Sequence, residues 1–264
     1  SLEKVTLGEN VQDLQVDCFA NTKIKSIHLG LNVNSVSGAF KDCKTLESIT
    51  VEAGHTLFIT DGNALYQKTT FYVDNSEKDG LILEYYLPSK AQGNLTLKSE
   101  VGAIGGYAFY GCKDIKEVVA KELEYVDSFA FANSSITKFT ANGSYYVFDS
   151  AFKNCKNLQS INLENVDYID MSAFENCTSL KNVTFSKNVS DIGELAFANT
   201  GLTEVEIYGD DCYIRESAFK GCKNLKSVRL EKGVYYVGMN AFLYCPELKT
   251  IYLSKTVESF GENA

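Results

Sequence analysis

The chain has 264 residues, of which 45% are hydrophobic, and a formal net charge of −9. This hydrophobic content predicts a globular protein rather than a disordered one. Acidic and basic residues are interspersed, which argues against nucleic-acid binding, because proteins that bind the phosphate backbone carry a clustered basic stripe. No apolar run approaches the roughly 20 residues of a membrane span, and the first residues lack the basic-then-apolar pattern of a signal peptide.

Both ends of the chain read as parts of repeats. The segment from Leu2 to Leu7 matches the second half of a repeat, and residues 257–264 stop where the next repeat's phenylalanine is expected. A solenoid normally ends in an atypical capping repeat with a polar outer face, and neither end has that character. We therefore expect a monomeric fragment of a longer array, with any export signal or anchor lying outside it.

The dipeptide Ala-Phe recurs along the chain, and we call its phenylalanine the box phenylalanine. From Phe109 onward the intervals between box phenylalanines are 22, 21, 22, 23, 22 and 23 residues, and Cys18-Phe19 is a degenerate copy. A fixed period in this range is typical of a solenoid, in which short units stack on one another. The copies are Ala39-Phe40, Ala108-Phe109, Ala130-Phe131, Ala151-Phe152, Ala173-Phe174, Ala196-Phe197, Ala218-Phe219 and Ala241-Phe242.

One repeat, residues 166–185, shows the expected local structure. Val183 and Phe185 have the two-residue period of a half-buried strand, and Val166 and Ile169 belong to a second extended piece. The Ala-Phe segment between them fits a helical turn or two. The predicted fold is an α+β repeat: a curved leucine-rich-repeat solenoid with short strands and short helical turns, interrupted by a small β insert.

The period breaks between Phe40 and Phe109, where β-rich runs alternate with turn-forming clusters. We predict N-terminal repeats in 1–51, a β-hairpin or small sheet inserted at 52–94, and C-terminal repeats in 95–264, all in one continuous solenoid. The insert is either a local elaboration of the array, which we favour, or a protruding binding element.

Two columns of the repeat follow the box phenylalanine. Two residues after it, eight of nine positions hold Asn, Asp or Gly, which predicts a backbone with positive φ at the end of a helical turn. This geometry already explains Asn133 and Asn176, although both also fall in glycosylation sequons. The column comprises Asn21, Asp42, Gly111, Asn133, Asn154, Asn176, Asn199, Gly221 and Tyr244.

The next column holds six of the eight cysteines. Ser or Thr replaces Cys in the other repeats, so we interpret these cysteines as reduced, buried and structural. Parallel side-chain vectors disfavour disulfides between rungs, and no Cys-x-x-Cys or Cys-His pairing indicates a metal site. We expect no cofactor. The six are Cys43, Cys112, Cys155, Cys177, Cys222 and Cys245.

The repeat Val-x-x-Ile-x-x-x-Ala-Phe-x-x-Cys-x-x-Leu-x-x-Ile-x-Leu resembles the BspA-like leucine-rich repeat, and the segment from Asp61 to Tyr66 is similar to the DG-x-LY insert found in such arrays. The resemblance covers nearly the whole chain; Cys18 and Tyr244 depart from it. It implies a surface or secreted protein of host-associated bacteria, adhesion to a protein or glycan on a host or microbial surface, and no catalytic motif.

Five tyrosines form a further column, six residues before the box phenylalanine, and Asp191 replaces the tyrosine in one repeat. Each precedes a buried Val or Ile, so alternation points the tyrosine outward. Packing between neighbouring strands is the favoured interpretation, and ligand binding is the alternative. These candidate ligand-binding residues are Tyr125, Tyr146, Tyr168, Tyr213 and Tyr236.

The second strand of each repeat predicts a polar outer face of little net charge, which in solenoids is the usual extended binding surface. The outward pairs are Ser26/His28, Ser48/Thr50, Ser160/Asn162, Asn182/Thr184, Glu204/Glu206, Ser227/Arg229 and Thr250/Tyr252.

The sequence favours a non-enzymatic, extracellular or cell-surface module that presents an extended solenoid face to a protein or glycan. A structural spacer or intracellular scaffold without a dedicated ligand is the alternative. A hydrolase with a site in the insert is disfavoured, because His28 and His55 are the only histidines and no catalytic motif accompanies them. No nucleic-acid partner and no direct membrane insertion are expected.

Overall fold

The computed structural model describes residues 2–73, 76–209 and 211–264. Within these ranges every regular element is a β-strand, and the chain winds into a β-solenoid of about ten turns. We call one turn a rung. The first five strands are β1 (Ser26–Leu29), β2 (Ser48–Val51), β3 (Phe58–Thr60), β4 (Ala64–Val73) and β5 (Ser76–Tyr86).

The remaining strands are short and are distributed between two sides of the solenoid. They are β6 (Gly93–Thr96), β7 (Val101–Ile104), β8 (Ile115–Glu122), β9 (Tyr125–Val126), β10 (Lys138–Asn142), β11 (Tyr146–Val147), β12 (Ser160–Ile161), β13 (Tyr168–Ile169), β14 (Asp191–Ile192), β15 (Glu204–Ile207), β16 (Cys212–Ile214), β17 (Ser227–Leu230), β18 (Val234–Val237), β19 (Thr250–Leu253) and β20 (Ser259–Phe260).

One side is an eleven-stranded sheet in the order β20-β18-β16-β14-β13-β11-β9-β7-β5-β4-β3. It is parallel from β20 to β5 and antiparallel through β5, β4 and β3. The other side carries three separate parallel ladders, β1-β2, β12-β10-β8-β6 and β15-β17-β19. Equivalent residues of successive repeats therefore lie side by side, so each sequence column becomes a row on the surface or in the core.

The predicted helical turns at the Ala-Phe segments are wrong, because alternate N–H groups of this segment leave the local turn. Ala130 N–H donates to the carbonyl of Asp127 in its own turn, whereas Phe131 N–H donates to the carbonyl of Ala151 on the next rung, at 2.8 Å. A helix would keep these bonds within the segment. The repeat is thus all-β, with the turns themselves bonded between rungs.

Backbone dihedrals also prevent a helix at these turns, because left-handed residues stand on both sides of the box phenylalanine. The predicted positive φ two residues after it is confirmed at all nine positions, including Tyr244 at 61°. A second positive-φ column, two residues before it, was not predicted, because its residue types are mixed. It comprises Asp17, Gly38, Tyr107, Phe129, Ser150, Ser172, Leu195, Ser217 and Asn240.

The box phenylalanines form the centre of the core. From Phe109 to Phe242 each ring stacks on the next, with centroids 4.8–5.4 Å apart and planes within 17° of parallel. All of these rings are buried. This continuous stack explains why the period is maintained, since a missing ring would leave its two neighbours without a partner.

The cysteine column lies beside this stack, and all eight cysteines are free. The thiol of Cys155 donates to the carbonyl of Phe131 on the preceding rung, at 3.0 Å, and Cys177 does the same to Phe152 at 3.1 Å. Five of the six column cysteines are buried as predicted, whereas Cys245 is partly exposed. The column thus uses Cys as a small apolar residue that also satisfies a buried carbonyl.

The antiparallel strands β3, β4 and β5 lie inside the predicted insert 52–94, and the predicted division into segments stays a prediction. The base of this meander separates two cores. Leu65 and Tyr85 pack with Phe40 into the N-terminal core, whereas Tyr66 and Leu83 pack into the C-terminal one. Near the far end of the β4–β5 hairpin Tyr72 is 72% exposed, and Lys78 forms an ion pair with Glu122 of β8 at 3.1 Å.

Candidate interaction surface

The predicted tyrosines lie next to one another on the eleven-stranded sheet. Tyr146 is paired with Tyr125 on one side and with Tyr168 on the other, and Tyr213 is paired with Tyr236. Asp191 fills the gap between Tyr168 and Tyr213 in the same register. We call this line the tyrosine row, with members Tyr125, Tyr146, Tyr168, Asp191, Tyr213 and Tyr236.

The row alternates with the core as the sequence predicts, because the Val or Ile after each member is buried. Tyr146 and Tyr213 are 50% and 42% exposed, and the other tyrosines are half-buried. Ring centroids of Tyr146 and Tyr168 lie 6.4 Å apart, and those of Tyr213 and Tyr236 are equally distant. The rings therefore pack on one another and still present surface to solvent; a ligand-binding role stays a prediction.

The one acidic member of the row holds an arginine. Nε of Arg215 donates to Oδ2 of Asp191 at 2.8 Å, and its Nη2 contacts the same carboxylate. The guanidinium carbon also lies 5.1 Å from the centroid of the Tyr213 ring. A guanidinium is thus bound by a carboxylate of one rung and an aromatic face of the next, which combines a charge-assisted hydrogen bond with a cation–π contact.

Acidic side chains flank the tyrosine row on every rung but one. We call residues 124–128, 145–149, 167–171, 190–194, 212–216, 235–239 and 258–262 the row face. It carries ten acidic residues and a single basic one, Arg215, and none of the ten is buried. The ten are Glu124, Asp127, Asp149, Asp167, Asp170, Asp191, Glu194, Glu216, Glu258 and Glu262.

These acids lack cationic partners. Across the described ranges, Asp191 is the one member of the ten with a Lys, Arg or His nitrogen within 4.0 Å. Several carboxylates accept local hydrogen bonds instead, as Asp170 does from the N–H of Met171 and Asp149 from the hydroxyl of Ser150. The order of charges along the chain hides this asymmetry, which emerges when the charges are sorted by repeat column.

A buried carboxylate adjoins the first rung of the row face. Glu84 in β5 is only 9% exposed, and a Cβ added to Gly105 would lie 3.4 Å from its Oε2. Burial, with a smaller contribution from the charge of Asp127, raises the pKa of Glu84 to about 7. The structure describes no hydrogen-bond donor or cation against this carboxylate. Burial together with Asp127 and Glu84 also raises the pKa of Tyr125 to about 12.

The opposite side of the solenoid has a different charge pattern. The eight residues after each box phenylalanine from Phe109 to Phe242 contain ten lysines and five acids. On this side charges neutralise each other across rungs, as Lys138 does with Glu117 at 2.6 Å and Arg229 with Glu206 at 3.3 Å. Pairing across rungs thus offsets part of the charge on this side, and lysines remain in excess in these segments; the outer face of little net charge stays a prediction.

The histidines are separated from a cavity that lies beside the hairpin of the insert. A cavity of about 370 Å³ lies beside the hairpin and is lined by Phe71, Asp79, Glu100 and Glu122, among others. His55 is buried elsewhere, where its Nδ1 accepts hydrogen bonds from backbone N–H groups. His28 is exposed and contacts Thr50 and Glu52. The structure therefore brings neither histidine to these acids.

None of the described residues forms a helix that is long and apolar enough to cross a membrane. No group of three or more His, Cys, Asp or Glu side chains in these ranges is arranged to hold a metal ion.

Comparison with solved structures shows the same architecture in bacterial proteins. A leucine-rich repeat protein from Eubacterium ventriosum superposes with a TM-score of 0.66 at 23% identity, over 96% of this chain and 62% of that one. The leucine-rich repeat protein of T. pallidum gives 0.51 at 24% identity, over 74% and 83%. A leucine-rich cell surface protein from Faecalibacterium prausnitzii gives 0.49 at 22% identity, over 97% and 55%.

This chain therefore spans little more than half of the first and third of these proteins. No curated protein matches the sequence. The BspA type leucine-rich repeat region matches in six copies, over residues 1–70, 82–166 and 145–264. Leucine-rich repeat proteins of this kind generally bind other proteins and are typically not enzymes. Because the match covers almost the whole chain, the protein belongs to the BspA-type leucine-rich repeat family.

Proposed function

We propose that this protein is a non-enzymatic binding module of the cell surface or of the secreted fraction, which presents the row face to a protein or glycan on a host or microbial surface. The observation that carries the proposal is a line of partly exposed tyrosine rings flanked by carboxylates, of which only Asp191 has an intramolecular cation among the described residues. Tyrosine is favoured in interfaces because it offers a large rigid ring and a hydroxyl at low entropic cost.

A surface location is part of the proposal. It is supported by the family resemblance, because members of this family are commonly surface or secreted proteins of bacteria. A structural spacer is the second candidate. It is favoured by the uninterrupted stack of phenylalanines from Phe109 to Phe242, since a rod that only sets a distance needs a continuous core and no ligand.

Binding to an array of purified surface proteins and glycans tests the proposal. The variant Tyr146→Ser/Tyr213→Ser removes the two most exposed rings of the row, and we expect it to weaken binding about tenfold or more. The matched control is Tyr252→Ser, because Tyr252 is 46% exposed on the opposite side. Absence of any binding by the unmodified protein, or equal losses in both variants, would contradict the proposal and favour the spacer.

A further inference from the structure

We infer that the row face takes the Lys and Arg side chains of an extended, basic polypeptide segment of a partner protein. This inference rests on the proposed binding function and names the class of its ligand. Four features support it: the arginine already held on this face, the unpaired acids, the buried carboxylate of Glu84 and the spacing of the rungs.

Arg215 shows how this face binds a guanidinium. Its head group lies between the carboxylate of Asp191 and the ring of Tyr213, contributed by neighbouring rungs. The same elements, a tyrosine and one or two acids, recur on the neighbouring rungs without an arginine. Asp167 and Asp170 flank Tyr168 in this way, and Asp127 follows Tyr125. Cationic groups of a partner could occupy these positions with the same chemistry.

The electrostatic field of the row face selects for a basic ligand. Nine of its ten acids have no Lys, Arg or His partner within the described residues. Carboxylates concentrated on one face repel each other, and a cationic ligand relieves this repulsion and is steered toward it. Because the opposite side carries an excess of lysines, the attraction is specific to one side of the solenoid.

Glu84 provides an independent indication. A carboxylate that is nine-tenths buried ordinarily has hydrogen-bond donors or a cation against it, because desolvation without a partner is costly. Glu84 has neither among the described residues. Its Oε2 lies 3.4 Å from the place that a Cβ on Gly105 would take, and the charges of Glu84 and Asp127, at the first rung of the row face, influence each other. A Lys or Arg side chain bound beside Tyr125 would supply the missing partner.

The spacing of the rungs fits an extended chain. Six row members at about 4.8 Å per strand span roughly 24 Å, which an extended peptide of about seven or eight residues covers. The Arg215 contact joins two adjacent rungs, so sites that each occupy two rungs would repeat about every 9.6 Å. Every third residue of an extended or polyproline-II chain advances by about 9–10 Å. A ligand with Arg or Lys at every third position therefore matches successive sites.

The test measures binding of a fluorescein-labelled peptide, four copies of Arg-Gly-Ser, by fluorescence anisotropy; four copies of Glu-Gly-Ser serve as the negative peptide. The variant Asp170→Asn/Glu194→Gln/Glu216→Gln neutralises three acids of the row face. The control Asp114→Asn/Glu204→Gln/Glu247→Gln makes the same charge change on the opposite side. Circular dichroism checks that both variants fold.

We expect Kd for the basic peptide to rise roughly tenfold in the row-face variant and to change less than about twofold in the control, since rim charges each contribute modestly. Binding should also weaken as NaCl rises. Equal losses in both variants would indicate attraction to net charge alone and overturn the inference.

The failures of the two proposals are distinguishable. If the array reveals a protein or neutral glycan whose binding depends on Tyr146 and Tyr213 while the basic peptide does not bind, the inference is wrong and the proposed function stands. If neutral glycans bind the unmodified protein and the row-face charge variant equally well, the inference is likewise wrong and the proposed function stands. If neither the array nor the peptide gives binding, both are wrong.

Discussion

The side-chain amide of Asn176 donates a hydrogen bond to Oδ1 of Asn154 on the preceding rung, at 2.9 Å. The same contact joins Asn154 to Asn133 and Asn199 to Asn176, each at 3.1 Å. Four rungs are thus linked by an asparagine ladder in which every residue has positive φ. Asn is favoured here twice, because it tolerates the left-handed backbone and because its amide can both donate and accept.

The variant Asn176→Ala should lower the free energy of unfolding by about 2–3 kcal/mol. It removes two hydrogen bonds of the ladder and places alanine, which tolerates positive φ less well than asparagine, at this position. Asn176→Gly should cost about 1–2 kcal/mol, because glycine keeps the backbone unstrained. Urea unfolding followed by circular dichroism measures both. Equal destabilisation by Ala and Gly would show that the backbone conformation contributes nothing.

Removing a ring from the phenylalanine stack should be among the most costly single changes in the core. Phe174 lies between Phe152 and Phe197, with centroid separations of 5.3 and 5.0 Å, and is fully buried. We expect Phe174→Ala to cost about 3–5 kcal/mol and Phe174→Leu clearly less, because leucine fills much of the volume. Guanidinium unfolding of both variants provides the comparison, and a cost for Ala no larger than for Leu would contradict the prediction.

Thiol labelling should separate two accessible cysteines from the buried ones. Burial raises the pKa of Cys155 and of Cys212 to about 12, so these thiols stay protonated and shielded at pH 8. Cys18 is exposed, although partial burial raises its pKa; Cys245 is partly exposed, and its hydrogen bond with Cys222 lowers its pKa. Iodoacetamide with mass spectrometry should therefore modify Cys18 and Cys245 before the buried cysteines of the folded protein. The Cys18→Ser variant should lose only the Cys18 part of that fast phase; fast labelling of Cys155 would refute the assignment.

Glu84 should make stability depend on pH in the opposite sense from an ion-paired acid. Its pKa in the folded protein is about 7, above the value of about 4.3 for an exposed glutamate, so the folded state binds more protons between these pH values. Stability should therefore fall as pH rises from about 4 to 7, by up to roughly 3 kcal/mol.

The Glu84→Gln variant tests this dependence, because it cannot ionise. We expect the unfolding free energy of this variant to depend less on pH than that of the unmodified protein. At pH 8 it should be higher than that of the unmodified protein. Asp127→Asn should reduce the slope only partly, since desolvation is the larger cause of the shift. If the unmodified protein and the Glu84→Gln variant showed the same change in unfolding free energy between pH 5 and pH 8, the prediction would be refuted.

The repeat columns could be predicted from the sequence because each reflects a local preference: a ring for the core, Asn or Gly for positive φ, a small residue for the cysteine position. Local preference does not decide whether the Ala-Phe segment forms a helical turn. Ala-Phe segments are compatible with a helix, and the hydrogen bond from Phe131 to Ala151 depends on a neighbouring rung.

The candidate surface shows the same limit. Outward tyrosines follow from strand alternation, so the row was found from the sequence. Glu84 was not, because its burial arises where only β7 separates β5 from the first rung of the row face, and its polar neighbour Asp127 belongs to a different repeat. Charge environments assembled from separate repeats become visible only when the rungs are aligned in space.

The meander at the base of the insert determines how the two halves of the array are joined. Tyr85 and Tyr86 are consecutive in β5, yet Tyr85 packs edge-on to Phe40 and Tyr86 stacks on Phe109, at centroid distances of 5.4 and 5.2 Å. The aromatic stacks of the two cores thus meet across the thickness of a single strand. Mechanical load and unfolding should therefore pass between the halves through this layer and through the contacts beside it, where the ammonium of Lys41 lies 5.2 Å from the ring centroid of Tyr107.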